Sequence, residues 1–189
     1  LGSSSASVVA TLVALNHHLG RPLTADALLQ LAGEAESSVA GAVHLDNVAP
    51  CLLGGLQLVV HGRAHRLPWP AGLLLVVASP DLELATRAAR AALPAALPLA
   101  AVVQHAGHAA GLVHALHAGD RDLLSASLRD VLAEPARAPL VPGFRAAQAA
   151  ALAAGALGCS LSGSGPAVFA VVDERSEEHT SELQSLAYL

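Results

Sequence analysis

Lysine, isoleucine and methionine are absent from this 189-residue chain, so all 10 of its Lys/Arg positions are arginine. Without lysine there can be no Gly-x-x-x-x-Gly-Lys-Ser/Thr phosphate loop of the Walker type. Without methionine there is no initiator residue, and the expectation is that the natural protein continues beyond both ends of the chain. Alanine and leucine abound instead, as in the product of a GC-rich gene. Aromatic residues make up 2% of the chain and the net charge is −5. Neither a base-stacking platform nor a basic stripe is available, so nucleic acid is not an expected partner. The two cysteines, Cys51 and Cys159, lie far apart and outside any Cys-x-x-Cys or His/Cys spacing. They read as reduced thiols of a cytoplasmic protein. Long hydrophobic runs are missing too: Pro94 and Pro98, or the polar Asn16-His17-His18, interrupt every candidate before the roughly 20 residues a bilayer span needs. The first apolar run has no basic lead-in of the secretory kind. No membrane partner is expected.

What is present is ample material for a core, at 53% hydrophobic residues. Residues 5–19 read as a helix stopped by Gly20, and Thr24 caps a second helix reaching about Glu36. Residues 37–43 are small and read as a loop. A short helix runs through Leu53 with Pro50 near its beginning. Leu56, Leu58 and Val60 alternate as a strand, His61-Gly62-Arg63 turns, and residues 64–67 return. Pro68-Trp69-Pro70 marks a joint, giving domains over residues 1–70 and 71–174. Beyond it, residues 73–78 read as a buried strand. Helices are expected over 86–92, 98–116, 121–132 (one or two) and 144–154. Strands over 157–161 and 167–172 flank Ser162-Gly163-Ser164-Gly165-Pro166. This pattern predicts an α+β fold with helices on one face of a largely antiparallel sheet. From Arg175 the composition turns abruptly polar and charged. Residues 175–189 resemble the translation of a sequencing-adapter oligonucleotide and are set aside.

Several clusters can carry chemistry. Leu1-Gly2-Ser3-Ser4-Ser5-Ala6 opens a helix, where unpaired backbone N–H groups and the helix dipole attract anions, and serine hydroxyls reach a phosphate or its metal. Ordinary N-capping accounts for the same residues. Ser162 to Pro166 is longer and more polar than a plain hairpin requires. Glu36 and Asp46 flank the small-residue loop, and each suits either a surface acid or a Mg²⁺ ligand, since Mg²⁺ takes one or two carboxylates with phosphate oxygens. Arg90 and Arg137 offer guanidinium forks for a carboxylate; Arg137 sits in Glu134-Pro135-Ala136-Arg137, which reads as loop. His105, His108, His114 and His117 recur at helical spacing but without an accompanying carboxylate or thiol, and read as solvent-facing.

Taken together, these segments resemble the GHMP kinases. Residues 1–6 are similar to the family's second, ATP-binding motif, and Ser162 to Pro166 to its third. His44-Leu45-Asp46-Asn47-Val48-Ala49-Pro50 followed by Leu53-Gly54-Gly55, then Thr86 and Arg90 before Leu93-Pro94, then Glu134-Pro135-Ala136-Arg137 with Leu140 and Pro142, resemble segments of the homoserine kinases within it. Leu45, where the family has Pro or Ala, and Ser5, where it has Ala, depart from the pattern. The resemblance implies a two-domain fold: the C-terminal part of a ribosomal-S5-like ATP-binding domain, then a ferredoxin-like α/β sandwich. It implies ATP-dependent phosphorylation of the L-homoserine hydroxyl in threonine biosynthesis. In this scheme Gly2, Ser3, Ser4 and Ser5, with Ser162, Gly163, Ser164 and Gly165, hold the ATP phosphates. Ser4 and Glu36 hold Mg²⁺. His44, Asp46, Asn47, Thr86, Arg90 and Arg137 bind the substrate, with Asp46 and Asn47 at the reacting end. ATP and homoserine are the implied partners, and a homodimer is compatible. Another kinase of the family, with a mevalonate-type or sugar substrate, and a non-catalytic amino-acid-binding domain are the alternatives.

Overall fold

The computed structural model describes residues 2–40 and 45–174, with 38–40 by their backbone alone. They divide into two compact units, one ending at Trp69 and one beginning at Pro70. The fold is α+β, with small antiparallel sheets. Among the described residues no helix is long and apolar enough to cross a membrane.

The first unit contains α1 (Ser3–His18), α2 (Ala25–Ala40), α3 (Leu45–Leu53) and a hairpin of β1 (Leu56–Val60) and β2 (Arg63–Leu67). Val9, Leu29, Ala32, Leu45, Val48 and Ala49 form the core where the three helices meet, and Val59 and Ala64 pack the hairpin onto it. Asn16 closes the α1–α2 connection: its amide donates to the Leu23 carbonyl at 3.1 Å, and its side-chain oxygen accepts the Leu23 N–H at 3.0 Å. Thr24 caps α2 by accepting the Ala27 N–H at 3.3 Å. Two expectations need correction. Residues 37–40 are helical, since α2 runs to Ala40 and Ser37 satisfies its hydroxyl within the helix by donating to the Glu34 carbonyl at 2.7 Å. The remainder of the expected loop, 41–43, lies outside the described residues. Pro50 is in the interior of α3; the carbonyl it leaves without a helical donor belongs to exposed Asp46, where water can replace the missing bond.

The second unit contains β3 (Leu73–Ala78), α4 (Thr86–Ala91), α5 (Leu99–Ala118), α6 (Arg121–Ser127), α7 (Glu134–Arg137) continuing into a 3-10 turn (Ala138–Leu140), α8 (Phe144–Ala153), β4 (Gly158–Leu161) and β5 (Val168–Asp173). The strand order is β3-β5-β4, with Leu73 opposite Asp173 and Leu161 opposite Val168. Phe144 and Ala151 of α8 pack on Cys159, Leu161, Val168 and Ala170 to make the core. Strand β3 differs from its expected burial: Leu75 and Val77 are 54% and 46% exposed, because alternate residues of an edge strand point away from that core. Helices α5 and α6 approach closely at Gly111, where a Cβ would lie 2.4 Å from Ser127 Oγ. The Arg121 guanidinium pairs with Asp173 at 2.6 Å and donates to the Ala71 carbonyl at 3.1 Å, fixing α6 to the end of the β3–β5 pair where β3 begins and β5 finishes.

Helix α6 stops at Ser127 rather than running toward Leu132. Asp130 is the reason: its carboxylate accepts the N–H groups of Leu132 and Ala133 at 2.9 Å and of Glu134 at 3.0 Å. A short acidic side chain that captures nearby backbone donors competes with helix continuation and caps the next helix instead. Two of the four α5 histidines are not simply solvent-facing. His108 Nδ1 donates to the Arg129 carbonyl at 3.1 Å, and His105 Nδ1 lies 3.8 Å from Asp130.

Both cysteines are free, Cys51 exposed and Cys159 buried. Burial, reinforced by the Glu134 carboxylate, pushes the Cys159 thiol up to about 11. At pH 8 it is therefore protonated, and a thiol-specific disulfide reagent should titrate one group, Cys51, in the native protein and two after denaturation. Two fast-reacting native thiols would contradict this. Ser5 is 1% exposed and its hydroxyl has no hydrogen-bond partner. Since a buried unsatisfied hydroxyl costs about 1–3 kcal/mol, Ser5→Ala should stabilise the first unit by about 1 kcal/mol, read as a higher urea midpoint in the fluorescence of Trp69, the single tryptophan.

Candidate active site

In the first unit the candidate residues converge on the start of α1. Gly2 adopts φ 62° and ψ 26°, a left-handed conformation that favours glycine, and its carbonyl accepts the Ala6 N–H at 2.9 Å to begin the helix. A Cβ on Gly2 would sit 3.4 Å from the side-chain oxygen of Asn47, so α3 presents Asn47 directly to the loop. Asp46 stands beside it, exposed in the first turn of α3. Ser3 and Ser4 are exposed while Ser5 is buried. The three serines thus differ in access: two hydroxyls face outward at the helix start and one faces the core. His44 lies outside the described residues.

The Ser4 hydroxyl donates to Glu36 at 2.7 Å, across 32 residues of sequence. Helices α1 and α2 therefore bring together the two residues suggested by sequence as metal ligands. A hydroxyl and a carboxylate oxygen in contact, at the end of a helix whose first N–H groups attract anions, are hard donors of the kind Mg²⁺ takes alongside phosphate oxygens and water. The donor set fits that ion. Among the described residues no group of three or more His, Cys, Asp or Glu side chains stands together, so the pair would supply a minority of the ligands, as is usual for Mg²⁺ held on a nucleotide.

In the second unit Arg137 is the centre. It is the last residue of α7 rather than part of a loop: Asp130 caps the chain upstream, and Pro135 suits the first turn of a helix. Its Nε donates to the Ala89 carbonyl at 3.3 Å and its Nη1 to the Gly163 carbonyl at 2.9 Å. Arg137 thereby ties the serine-glycine loop to α4, the helix that carries Thr86 at its first position and Arg90 one turn later, both exposed. The loop is closed on itself, with the Ser162 N–H donating to Ala167 at 2.8 Å and the Gly165 N–H to Ser162 at 3.0 Å. Gly163 has φ 59° and is the exposed residue of the group, whereas Ser162, Ser164 and Gly165 are half-buried.

Sequence reasoning quoted Glu134 within its motif but gave it no role. Glu134 is 7% exposed, and its carboxylate is bonded by three side chains. It accepts Ser160 Oγ at 2.5 Å, Arg145 Nη1 at 2.6 Å and Gln148 Nε2 at 3.1 Å. Gln148 also donates to the Cys159 carbonyl at 2.7 Å. The only sequence signal was an acid three positions before the arginine on a segment too short to bury a charge unaided; its partners, from α8 and β4, are 11 to 26 residues away.

The GHMP kinases N terminal domain matches residues 1–55, and the GHMP kinases C terminal domain matches residues 112–184, running past the change of composition at Arg175. A homoserine kinase from Cytophaga hutchinsonii superposes with a TM-score of 0.93 at 41% identity, over 100% of this chain and 61% of that one. A protein from Listeria monocytogenes assigned as homoserine kinase thrB matches with a TM-score of 0.68 at 28% identity, over 98% of this chain and 62% of that one. The mevalonate kinase of L. major, solved with R-mevalonate, shares the fold at 18% identity, with a TM-score of 0.74 over 98% of this chain and 61% of that one. The chain thus spans about three fifths of the length of each of these structures. Matches to both domains of one family, with a relative 41% identical along the whole chain, establish that the protein belongs to the GHMP kinase family.

Proposed function

We propose that this protein is the homoserine kinase of its organism, transferring the γ-phosphoryl group of ATP to the side-chain hydroxyl of L-homoserine for threonine biosynthesis in the cytoplasm. The observation that carries the reading is the 41% identity, along all of this chain, to a protein described as homoserine kinase. The Ser4–Glu36 contact and the two arginines support it chemically.

Phosphoryl transfer asks a protein chiefly for positioning and charge neutralisation. The N–H groups at the start of α1, with Gly2 and the exposed Ser3 and Ser4, cradle the phosphates, and Ser162 to Gly165 belong to the same task. Ser5 joins that cradle through its backbone, because its hydroxyl is buried. Ser4 and Glu36 would hold Mg²⁺. When bound, the ion neutralises phosphate charge and orients the nucleotide. Arg90 and Arg137 pair with the substrate carboxylate, and Thr86 and His44 complete its binding. Asp46 and Asn47 address the reacting hydroxyl from the first turn of α3. Carboxylate recognition is what separates homoserine from a sugar. It favours an acid over the sugar substrates of the family, and the metal pair favours catalysis over a merely amino-acid-binding domain.

The test is an ADP-release assay on the complete gene product with L-homoserine, mevalonate and galactose. Turnover should require homoserine and ATP, and Glu36→Ala should lower the rate by roughly a hundredfold or more, the scale of losing a group that stabilises transition-state charge. Absence of homoserine-dependent turnover, or preference for mevalonate or galactose, refutes the assignment.

A further inference from the structure

We infer that Glu134 is a positioning residue for the substrate carboxylate: by anchoring α7 to β4 it aims Arg137. The inference rests on the kinase reading for the identity of the substrate, while the geometry behind it is independent of that reading.

Helix α7 is four residues long, far too short to hold itself together. Its two ends are clasped to one continuous stretch of chain. At its start Glu134 accepts the hydroxyl of Ser160, and at its end Arg137 donates to the carbonyl of Gly163. The spacing is three residues on both sides, so the one-turn helix and the segment from β4 into the serine-glycine loop run alongside each other, joined at two points. Arg145 and Gln148 of α8 hold the Glu134 carboxylate from the other side. Arg137 has a second attachment at Ala89, the residue preceding Arg90. Removing the Glu134 clasp leaves α7 held at its start by Asp130 alone, and frees Arg137 to turn away from both carbonyls. The guanidinium gives a short, directional bond to a carboxylate only when it is held in plane with it. A shift of about 1 Å in such a group is enough to change rates by two orders of magnitude.

The cavity on this side of the unit, about 460 Å³, is lined by Glu134, Arg145, Gln148, Arg129 and Cys159. The Glu134 carboxylate is already committed to three protein donors, and this suits an internal strut rather than a ligand contact.

Two measurements on Glu134→Ala, Glu134→Gln and Ser160→Ala test the inference. The first is hydrogen exchange at Arg137 Nε–H in ¹⁵N-arginine-labelled protein, with Arg137→Lys identifying the resonance. Exchange should be slow in the parent, faster by roughly tenfold or more in Glu134→Ala and Ser160→Ala as the clasp opens, and near parental in Glu134→Gln, whose amide oxygen still accepts. The second is kcat/KM for L-homoserine against 2-amino-1,4-butanediol, in which the carboxylate is replaced by a hydroxymethyl group. That ratio is insensitive to how much enzyme is folded. It should fall by roughly tenfold or more in Glu134→Ala, mainly through the KM for homoserine, with partial rescue in Glu134→Gln. Unchanged Nε–H protection in both Glu134→Ala and Ser160→Ala overturns the inference. So does an equal loss on both substrates, which is the signature of a purely structural role. A parent with no homoserine turnover would sink the kinase assignment instead, and the exchange measurement would then decide by itself whether Glu134 orients Arg137.

Discussion

The Glu134 carboxylate is the constraint around which the second unit closes. In a chain with 13% charged residues, a carboxylate only 7% exposed is tolerable where donors meet it from every side. Those donors come from β4 and from two positions of α8, so one charge dictates where three elements meet. The cost of leaving that charge unpaired supplies the directional information that apolar packing of alanine, valine and leucine lacks. It is spent next to Arg137. The same carboxylate helps keep the neighbouring Cys159 thiol protonated, so the buried sulfur behaves as a small apolar side chain.

The first unit solves an opposite problem. Its candidate site needs polar groups that are accessible rather than buried, and so the positions are set by backbone geometry. The left-handed Gly2 turns the chain into α1 with Ser3 and Ser4 outward. Ser4 is then satisfied by Glu36, an exposed contact that water or a cation can enter without leaving a buried group unpaired. Ser5 is the exception. Its hydroxyl points where alanine would be more comfortable, which gives a physical account of why the family places alanine at this position of the motif.

The elements were largely legible in the sequence because periodicity and Gly or Pro punctuation carry them: the β1–β2 turn, the β3 span and the start of α5 fall where the pattern puts them. What the pattern missed were places where one side chain redirects the backbone. Asp130 stops α6 and starts α7 through three N–H bonds, and no periodicity announces that. The helical stretch 37–40 looked like loop because small residues carry little amphipathic signal, although their helix penalty is modest. At the site, the Ser4–Glu36 pairing was suggested by the resemblance and the helices bring it together, whereas the clasp at Glu134 depends on residues 11 to 26 positions away, which no local reading connects.

Fold likeness by itself does not choose a substrate. The L. major mevalonate kinase superposes with a TM-score of 0.74 at 18% identity, above the 0.68 of the Listeria protein at 28%, so the backbone ranks two chemistries in the opposite order to sequence. A scaffold shared by different kinases leaves the choice to side chains. The features that bear on it here are short and local: a guanidinium at the end of a one-turn helix, its two carbonyl partners, and the arginine that follows one of them. Such a guanidinium keeps donors available for an acid while two of its N–H groups fix its plane. That arrangement is wasted on a sugar, whose hydroxyls accept equally well from neutral donors. It gains most on a substrate bearing a full negative charge at a fixed distance from the hydroxyl to be phosphorylated. Mevalonate also carries a carboxylate, so the two acids must be separated by chain length and by the α-amino group.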